Sequence, residues 1–176
     1  MTETSDTANV AGQCLDAMLA IIQAQEEELH KLDAVAGDGD HGAGMVRGLK
    51  AAVAVPYQGT AGDVLSAAGS AFSNAAGGAS GALVGMFLLT IGNGLKTDQP
   101  EAATVHTALA NGLAVMKKLG KSDVGDKTMI DTLDPFIVAF GEAATNGQSI
   151  PEAWSVALPA AAEGRDSTIN MIAKKG

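Results

Sequence analysis

Hydrophobic positions recur at helical spacing along nearly the whole chain. Over residues 11–32, Leu15, Met18, Leu19, Ile22 and Leu29 fall near a 3.6-residue period, and Glu26, Glu27 and Glu28 cross the opposite side. That pattern predicts one amphipathic helix. A second helix follows the glycine-rich stretch 37–44 and stops before Pro56. A third opens at Thr60, whose Thr-x-x-Asp spacing to Asp63 is a capping pattern, and runs to about Asn74. Behind Gly77-Gly78-Ala79-Ser80-Gly81 an apolar helix is expected to end near 92–94. Pro100 suits a first helical position, and Lys117-Lys118-Leu119-Gly120 suits an end, with bases in the last turn and glycine after them. Past a loop at 121–127, helices are expected over 128–146, from Ser149-Ile150-Pro151-Glu152 onward with a kink at Pro159, and over 167–175. No stretch has strand or hairpin periodicity. The fold class is all-α, with seven or eight antiparallel helices in a single domain, residues 10–176, behind a frayed terminus at 1–9.

Composition sharpens this picture at two points. There are 22 glycines in 176 residues, well above the roughly 7% of average usage, beside 33 alanines. Glycine costs about 1 kcal/mol relative to alanine inside a helix, so the glycines are expected in loops or close contacts. The balance of 20 acids against 11 Lys and Arg gives a net charge of −9, with 3% aromatics. Such a chain lacks both the basic field and the stacking surface for nucleic acid. If it handles an anion, a metal must supply the positive charge.

Cys14 is the single cysteine, which excludes an intrachain disulfide or a Cys-x-x-Cys site. Residues 1–9 lack the basic start and apolar run of a secretory signal, and the longest apolar stretch, 82–91, is half of what a membrane span needs. A cytoplasmic protein with no membrane contact is expected.

The informative segment is Leu32-Asp33-Ala34-Val35-Ala36-Gly37-Asp38-Gly39-Asp40-His41-Gly42-Ala43-Gly44. Asp38 and Asp40 project to the same side of an extended segment, and Asp33 reaches the same point if the chain folds back. Three converging carboxylates repel one another unless a hard divalent cation joins them, and Mg2+ takes such ligands together with waters and phosphates. The helix start at His41 to Gly44 offers free N–H groups to an anion. A plain solvated Asp/Gly turn is the alternative. Other loop readings fail. Gly37-x-Gly39-x-x-Gly42 matches a dinucleotide fingerprint formally, but no strand precedes it. Counted from Asp38, a calcium loop would place Leu49 where its bidentate Glu belongs. Gly120-Lys121-Ser122 lacks the earlier glycine of a P-loop, because Val115 stands there.

Gly77-Gly78-Ala79-Ser80-Gly81 is either a second phosphate-approaching loop or a tight interhelical turn. Gly125-Asp126-Lys127-Thr128-Met129 reads as a helix cap in which Lys127 could also meet phosphate. His30 and His106 read as surface or packing residues, and no nucleophile arrangement stands out.

Taken in order, Leu-Asp-x-x-x-Gly-Asp-Gly-Asp-His-Gly at 32–42, Gly-Gly-Ala-Ser-Gly at 77–81, Gly-Asp-Lys-Thr-Met at 125–129 followed by Asp131, and Ser167-Thr168-Ile169-Asn170-Met171 with Ala173-Lys174-Lys175-Gly176 resemble the nucleotide-binding L subunit of dihydroxyacetone kinases. The resemblance runs over essentially the whole chain. It implies an antiparallel eight-helix barrel with two Mg2+ ions and ADP or ATP at one end. It implies Asp33, Asp38 and Asp40 as metal ligands, His41, Gly42, Ala43, Gly44, Ala79 and Ser80 as phosphate contacts, and Gly120 and Met129 around the nucleoside. It further implies a separate K subunit that carries a keto sugar on its own histidine, so no catalytic residue is expected in this chain. A protein of the phosphoenolpyruvate-dependent phosphotransferase system would rephosphorylate bound ADP; exchanging ATP is the alternative, and homodimerisation stays open. Members of the family continue past Lys-Gly into an Arg-bearing lid, which is expected to be missing here. A non-catalytic nucleotide-binding regulator and an acidic helical protein with a structural Asp loop are the competing readings.

Overall fold

The computed structural model describes residues 6–35 and 37–175. Their regular elements are all helical: α1 (Asp6–Ala24), α2 (Glu26–Asp33), α3 (His41–Val53), α4 (Ala61–Ala76), α5 (Gly78–Gly94), α6 (Ala102–Gly120), α7 (Ile130–Thr145), α8 (Ile150–Ser167) and a 3-10 turn, Thr168–Asn170. The all-α expectation is met. The chain forms two compact units, Met1–Gln99 and Pro100–Gly176.

The N-terminal unit holds α1 to α5 around a core of Ala8, Ala11, Leu15, Leu49, Val64, Ala68 and Phe72. Most of these side chains are small, so the helices approach closely. The glycines of α4 and α5 carry this furthest. A Cβ at Gly69 would stand 2.5 Å from the Leu89 nitrogen and 2.6 Å from the Gly85 carbonyl, and one at Gly85 would stand 2.5 Å from the Ser73 Cβ. Gly62 and Gly92 face each other's backbone in the same way farther along. Glycine's cost in a helix interior is accepted here because any larger residue would separate the two backbones.

In the C-terminal unit, α7 and α8 pack through Phe136, Phe140 and Trp154. The Trp154 ring meets Phe136 edge-on at 4.9 Å between centroids and Phe140 at 6.1 Å. Gly164 of α8 lies against the Asp131 carbonyl and the Pro135 ring of α7. That carbonyl stands where Pro135, lacking an N–H, cannot donate to it.

Several boundaries depart from the periodicity. The helix expected over 11–32 divides at Gln25 (φ −106°, ψ 4°). Glu26, Glu27 and Glu28 occupy the first turn of the new helix, where carboxylates are favoured by the helix dipole. Of the terminus expected to fray, residues 1–5 lie outside the described residues. Residues 6–9 are instead the first turn of α1, held because Ala8 is fully buried in the core. Helix α6 begins at Ala102 behind Glu101, two residues after Pro100. The helix expected over 167–175 shrinks to the 3-10 turn. Its β-branched and Asn residues are weak helix formers, and its backbone bonds elsewhere, as described below. Both capping boxes form, Thr60 with Asp63 and Ser149 with Glu152.

Two outcomes follow. Gly69→Ala should lower stability by about 1–3 kcal/mol in thermal unfolding, because overpacking against α5 outweighs the helix-propensity gain. Asp63 accepts hydrogen bonds from the Thr60 backbone at 3.0 Å and hydroxyl at 2.9 Å, which, with Lys96 adding less, hold its pKa below the usual carboxylate value. A depressed pKa stabilises the fold above the unfolded-state value and loses that effect as pH falls through the folded-state one. The stability gap between wild type and Asp63→Asn should therefore be full at neutral pH and close on acidification.

Candidate functional site

Helix α2 ends on Asp33, and the chain then reverses. The Gly37 amide bonds the Asp33 carbonyl at 2.6 Å, and Gly39 takes φ +77°, a conformation open to glycine. This reversal carries Asp38 and Asp40 back over the end of α2. One carboxylate oxygen from each of Asp33, Asp38 and Asp40 lies within 4.8 Å of the other two. Asp33 is half-buried, whereas Asp38 and Asp40 are exposed. Asp38 accepts from the Asp40 amide at 3.3 Å, and Asp33 accepts from the His41 amide at 3.4 Å, which ties the cluster to the first turn of α3.

Two unit charges at that separation repel by about 1 kcal/mol in water and by roughly 3 kcal/mol at an effective dielectric of 20. Among the described residues, no Lys or Arg forms an ion pair with any of the three. An all-oxygen, all-carboxylate donor set that is open to solvent on two members fits Mg2+ or Ca2+ and not a softer metal.

Beside the triad lies a cleft of about 80 Å³ lined by Asp40, His41, Gly44, Arg47, Ser80 and the Gly77-Gly78 turn, among others. A drug-sized ligand needs about 300 Å³ or more, so the cleft accommodates a phosphate-sized group and not a whole nucleotide. His41 Nδ1 and Ser80 Oγ lie 3.4 Å apart across it, joining the starts of α3 and α5. At the start of α3 the His41 amide donates to Asp33 and the Gly44 amide to the Asp40 carbonyl at 2.9 Å, so the amides of Gly42 and Ala43 and the first amides of α5 are the ones a helix start leaves over.

The structure thus brings together Asp33, Asp38, Asp40, His41, Gly44 and Ser80. Gly42 is buried, and a Cβ there would strike the Glu26 carbonyl of α2, so its side is taken up by packing. Ala43 borders a separate open depression with Glu26, Glu27 and His30. Ala79 is exposed in the first turn of α5. Gly120 and Met129 belong to the C-terminal unit, at the end of α6 and the cap of α7. Arg47 was not among the expected site residues. Asp40, Gly44 and Arg47 are spaced i, i+4, i+7, which puts them on one face of α3, and that spacing was the available signal.

In the C-terminal unit the 121–129 loop is organised by Asp131. Its buried carboxylate accepts from the Gly125 amide at 2.5 Å and the Thr128 amide at 2.8 Å. Lys127, considered as a phosphate contact, instead donates to the carbonyls of Met171 at 3.0 Å and Ile169 at 3.4 Å. The Lys174 amide reaches the Asp126 carbonyl at 3.2 Å, and its ammonium reaches the Asp126 carboxylate at 3.0 Å. These bonds draw 168–174 out of a helix and along the loop. Lys117 bridges Asp134 at 2.6 Å and Asp123 at 2.9 Å. Hydrogen bonding, first to Asp134 and then to Asp123, raises its pKa.

Residues 35–176 match the DAK2 domain. The chain belongs to the DAK2-domain family. Within it, an L-erythrulose kinase of Pectobacterium atrosepticum is 37% identical over 96% of this chain and 30% of its own length. The ADP-binding subunit DhaL of a PEP-dependent dihydroxyacetone kinase 2 of Listeria innocua is 32% identical over 94% of this chain and 79% of its own. Among solved structures, the dihydroxyacetone kinase of C. freundii in complex with AMP-PNP and Mg2+ aligns with a TM-score of 0.63 at 25% identity, over 95% of this chain and 35% of that one. This DAK2 domain therefore spans about a third of the erythrulose kinase and most of the separate DhaL subunit. No helix of the described residues is long and apolar enough to cross a membrane.

Removing the Asp131 carboxylate leaves two loop amides without their acceptor. Asp131→Ala should cost about 2–4 kcal/mol of stability, read by denaturant unfolding, with raised proteolytic cleavage within 121–129.

Proposed function

We propose that this DAK2 domain is the nucleotide-binding component of a kinase for short keto sugars, holding the phosphates of ADP or ATP against Asp33, Asp38 and Asp40 through Mg2+. The observation that carries this reading is the carboxylate triad, which pairs with no Lys or Arg among the described residues and stands at the rim of a phosphate-sized cleft between two helix starts. The family's resemblance adds two ions where the geometry argues for at least one. Supporting it, the C. freundii relative was solved with AMP-PNP and Mg2+, and the Listeria innocua relative is described as an ADP-binding subunit.

Bound Mg2+ would neutralise phosphate charge and polarise the phosphoryl group for transfer. The chain's own part is positional. Asp33, fixed at the end of α2, and Asp38 and Asp40, aimed by the glycine loop, hold the metal. The amides of Gly42 and Ala43, the amides at 78–81 and the Ser80 hydroxyl would receive phosphate oxygens, with His41 and Gly44 lining the cleft beside them. Ala43 and Ala79 would contribute through their backbones. In phosphoryl transfer, positioning and charge neutralisation carry most of the catalysis, and this reading assigns no nucleophile to the chain. The keto sugar is held by a partner K component.

Two versions differ in the fate of the nucleotide. In the first, ADP stays bound and a phosphotransferase-system protein rephosphorylates it in the cytoplasm; the likeness to DhaL over 79% of that subunit favours it. In the second, ATP exchanges at every turnover, and dihydroxyacetone gives way to a four-carbon keto sugar. The higher identity to the erythrulose kinase favours that one. Denaturing the purified protein and quantifying released nucleotide separates them: stoichiometric ADP is expected for the first, and an empty site that takes up Mg·ATP for the second. Neither ADP nor ATP binding in the presence of Mg2+ would sink both. Asp38→Asn and Asp40→Asn should each abolish Mg-nucleotide binding by calorimetry while circular dichroism keeps the wild-type helical signal. Retained binding in both variants would refute the metal assignment.

A further inference from the structure

The Gly77-Gly78 turn joins α4 to α5 and sets where the first amides of α5 point. Both glycines have positive φ, +75° and +65°, and nothing lies within 4 Å of where their side chains would be. No packing holds the turn from that side. Ala76, immediately before it, is the last residue of α4, and its carbonyl is among those that a helix leaves without an intrahelical partner. Arg47 reaches this carbonyl from α3, with Nη2 donating at 3.1 Å. Gly44, one turn earlier on the same face, lets the Ala76 carbonyl lie this close to α3. A Cβ there would lie 3.1 Å from the Ala76 oxygen and 3.6 Å from Arg47 Nη2.

We propose that Arg47 is a positioning residue of the nucleotide site, one that anchors the α4–α5 turn to α3 and thereby fixes the amides at 78–81 opposite the triad. This rests on the nucleotide reading only for its functional consequence; the anchoring itself does not depend on it. Two cross-links then set the cleft's width. His41 to Ser80 spans its mouth, and Arg47 to Ala76 spans the end of α4. An arginine suits the task because its planar guanidinium holds five donors in a fixed fork, so that one can bind the carbonyl while the others remain beside the cleft that Arg47 lines. Its charge also lies where that of the terminal carbonyls of α4 is negative.

The test compares Arg47→Met, which keeps the stem and removes the donors, with Arg47→Lys, which keeps a donor and the charge. In nucleotide-free protein, amide hydrogen exchange over 76–81 should speed up in Arg47→Met and return towards wild type in Arg47→Lys, while exchange in α1 stays unchanged. Mn2+ affinity without nucleotide should be the same in all three proteins. Affinity for Mg·ADP should fall roughly ten-fold in Arg47→Met, within the 10–100-fold range typical of supporting residues around metal sites, and recover in Arg47→Lys. Unaltered exchange at 76–81 in Arg47→Met would overturn the proposal whatever the nucleotide results. Altered exchange with wild-type Mg·ADP affinity would overturn its functional half. If wild type binds no nucleotide, the proposed function fails, and the exchange data still decide the anchoring.

Discussion

Mutual repulsion among Asp33, Asp38 and Asp40 is the constraint around which the N-terminal unit is arranged. Three carboxylates within 4.8 Å of one another, with no Lys or Arg ion pair among the described residues, cost energy in the metal-free chain that a divalent cation would return. The surrounding structure holds them there nonetheless. Asp33 is anchored by α2 and by the His41 amide, and the loop that aims the other two depends on the left-handed conformation of Gly39. Helix α3 is locked against α2 through Gly42, which leaves no room for a side chain beside the Glu26 carbonyl. A preorganised, self-repelling cluster of hard ligands is what selective cation binding requires.

Close backbone packing is the second theme, and it explains why a chain so rich in alanine is also rich in glycine. Along α4 and α5, Gly62, Gly69, Gly85 and Gly92 allow the two helices to touch along their backbones. The same device places the end of α4 near α3, where Gly44 makes room for the Ala76 carbonyl that Arg47 binds. Packing and site meet at Gly44, which lies against the end of α4 and also lines the phosphate-sized cleft.

Much of this was legible in the chain itself. Apolar periodicity together with glycine, proline and capping signals located the long helices, and the Thr60–Asp63 cap marked the start of α4 to the residue. Asp33, Asp38 and Asp40 could be paired from spacing alone, given a chain reversal that the glycines permit. The misses have physical causes. The break at Gln25 is invisible to periodicity because α1 and α2 continue the same apolar stripe; the three glutamates were the available sign. Residues 167–175 read as helix until the side chain of Lys127 and the backbone of Lys174 are seen drawing them along the 121–127 loop. Ala8 reads as part of a frayed end because burial at a terminus depends on partners distant in sequence. Arg47 and the role of Asp131 in the loop were likewise tertiary facts, since each acts on backbone groups that only the fold brings near.

The most direct test of the account is a crystal structure of the protein grown with Mn2+ in place of Mg2+ and with ADP, examined by anomalous diffraction at the manganese edge. An anomalous peak is expected about 2.1 Å from carboxylate oxygens of Asp33, Asp38 and Asp40, in the oxygen-ligand range for ions of this kind, with a phosphate oxygen of ADP among its ligands. Well-ordered ADP bound away from the triad, or a triad without anomalous density at saturating Mn2+, would contradict it.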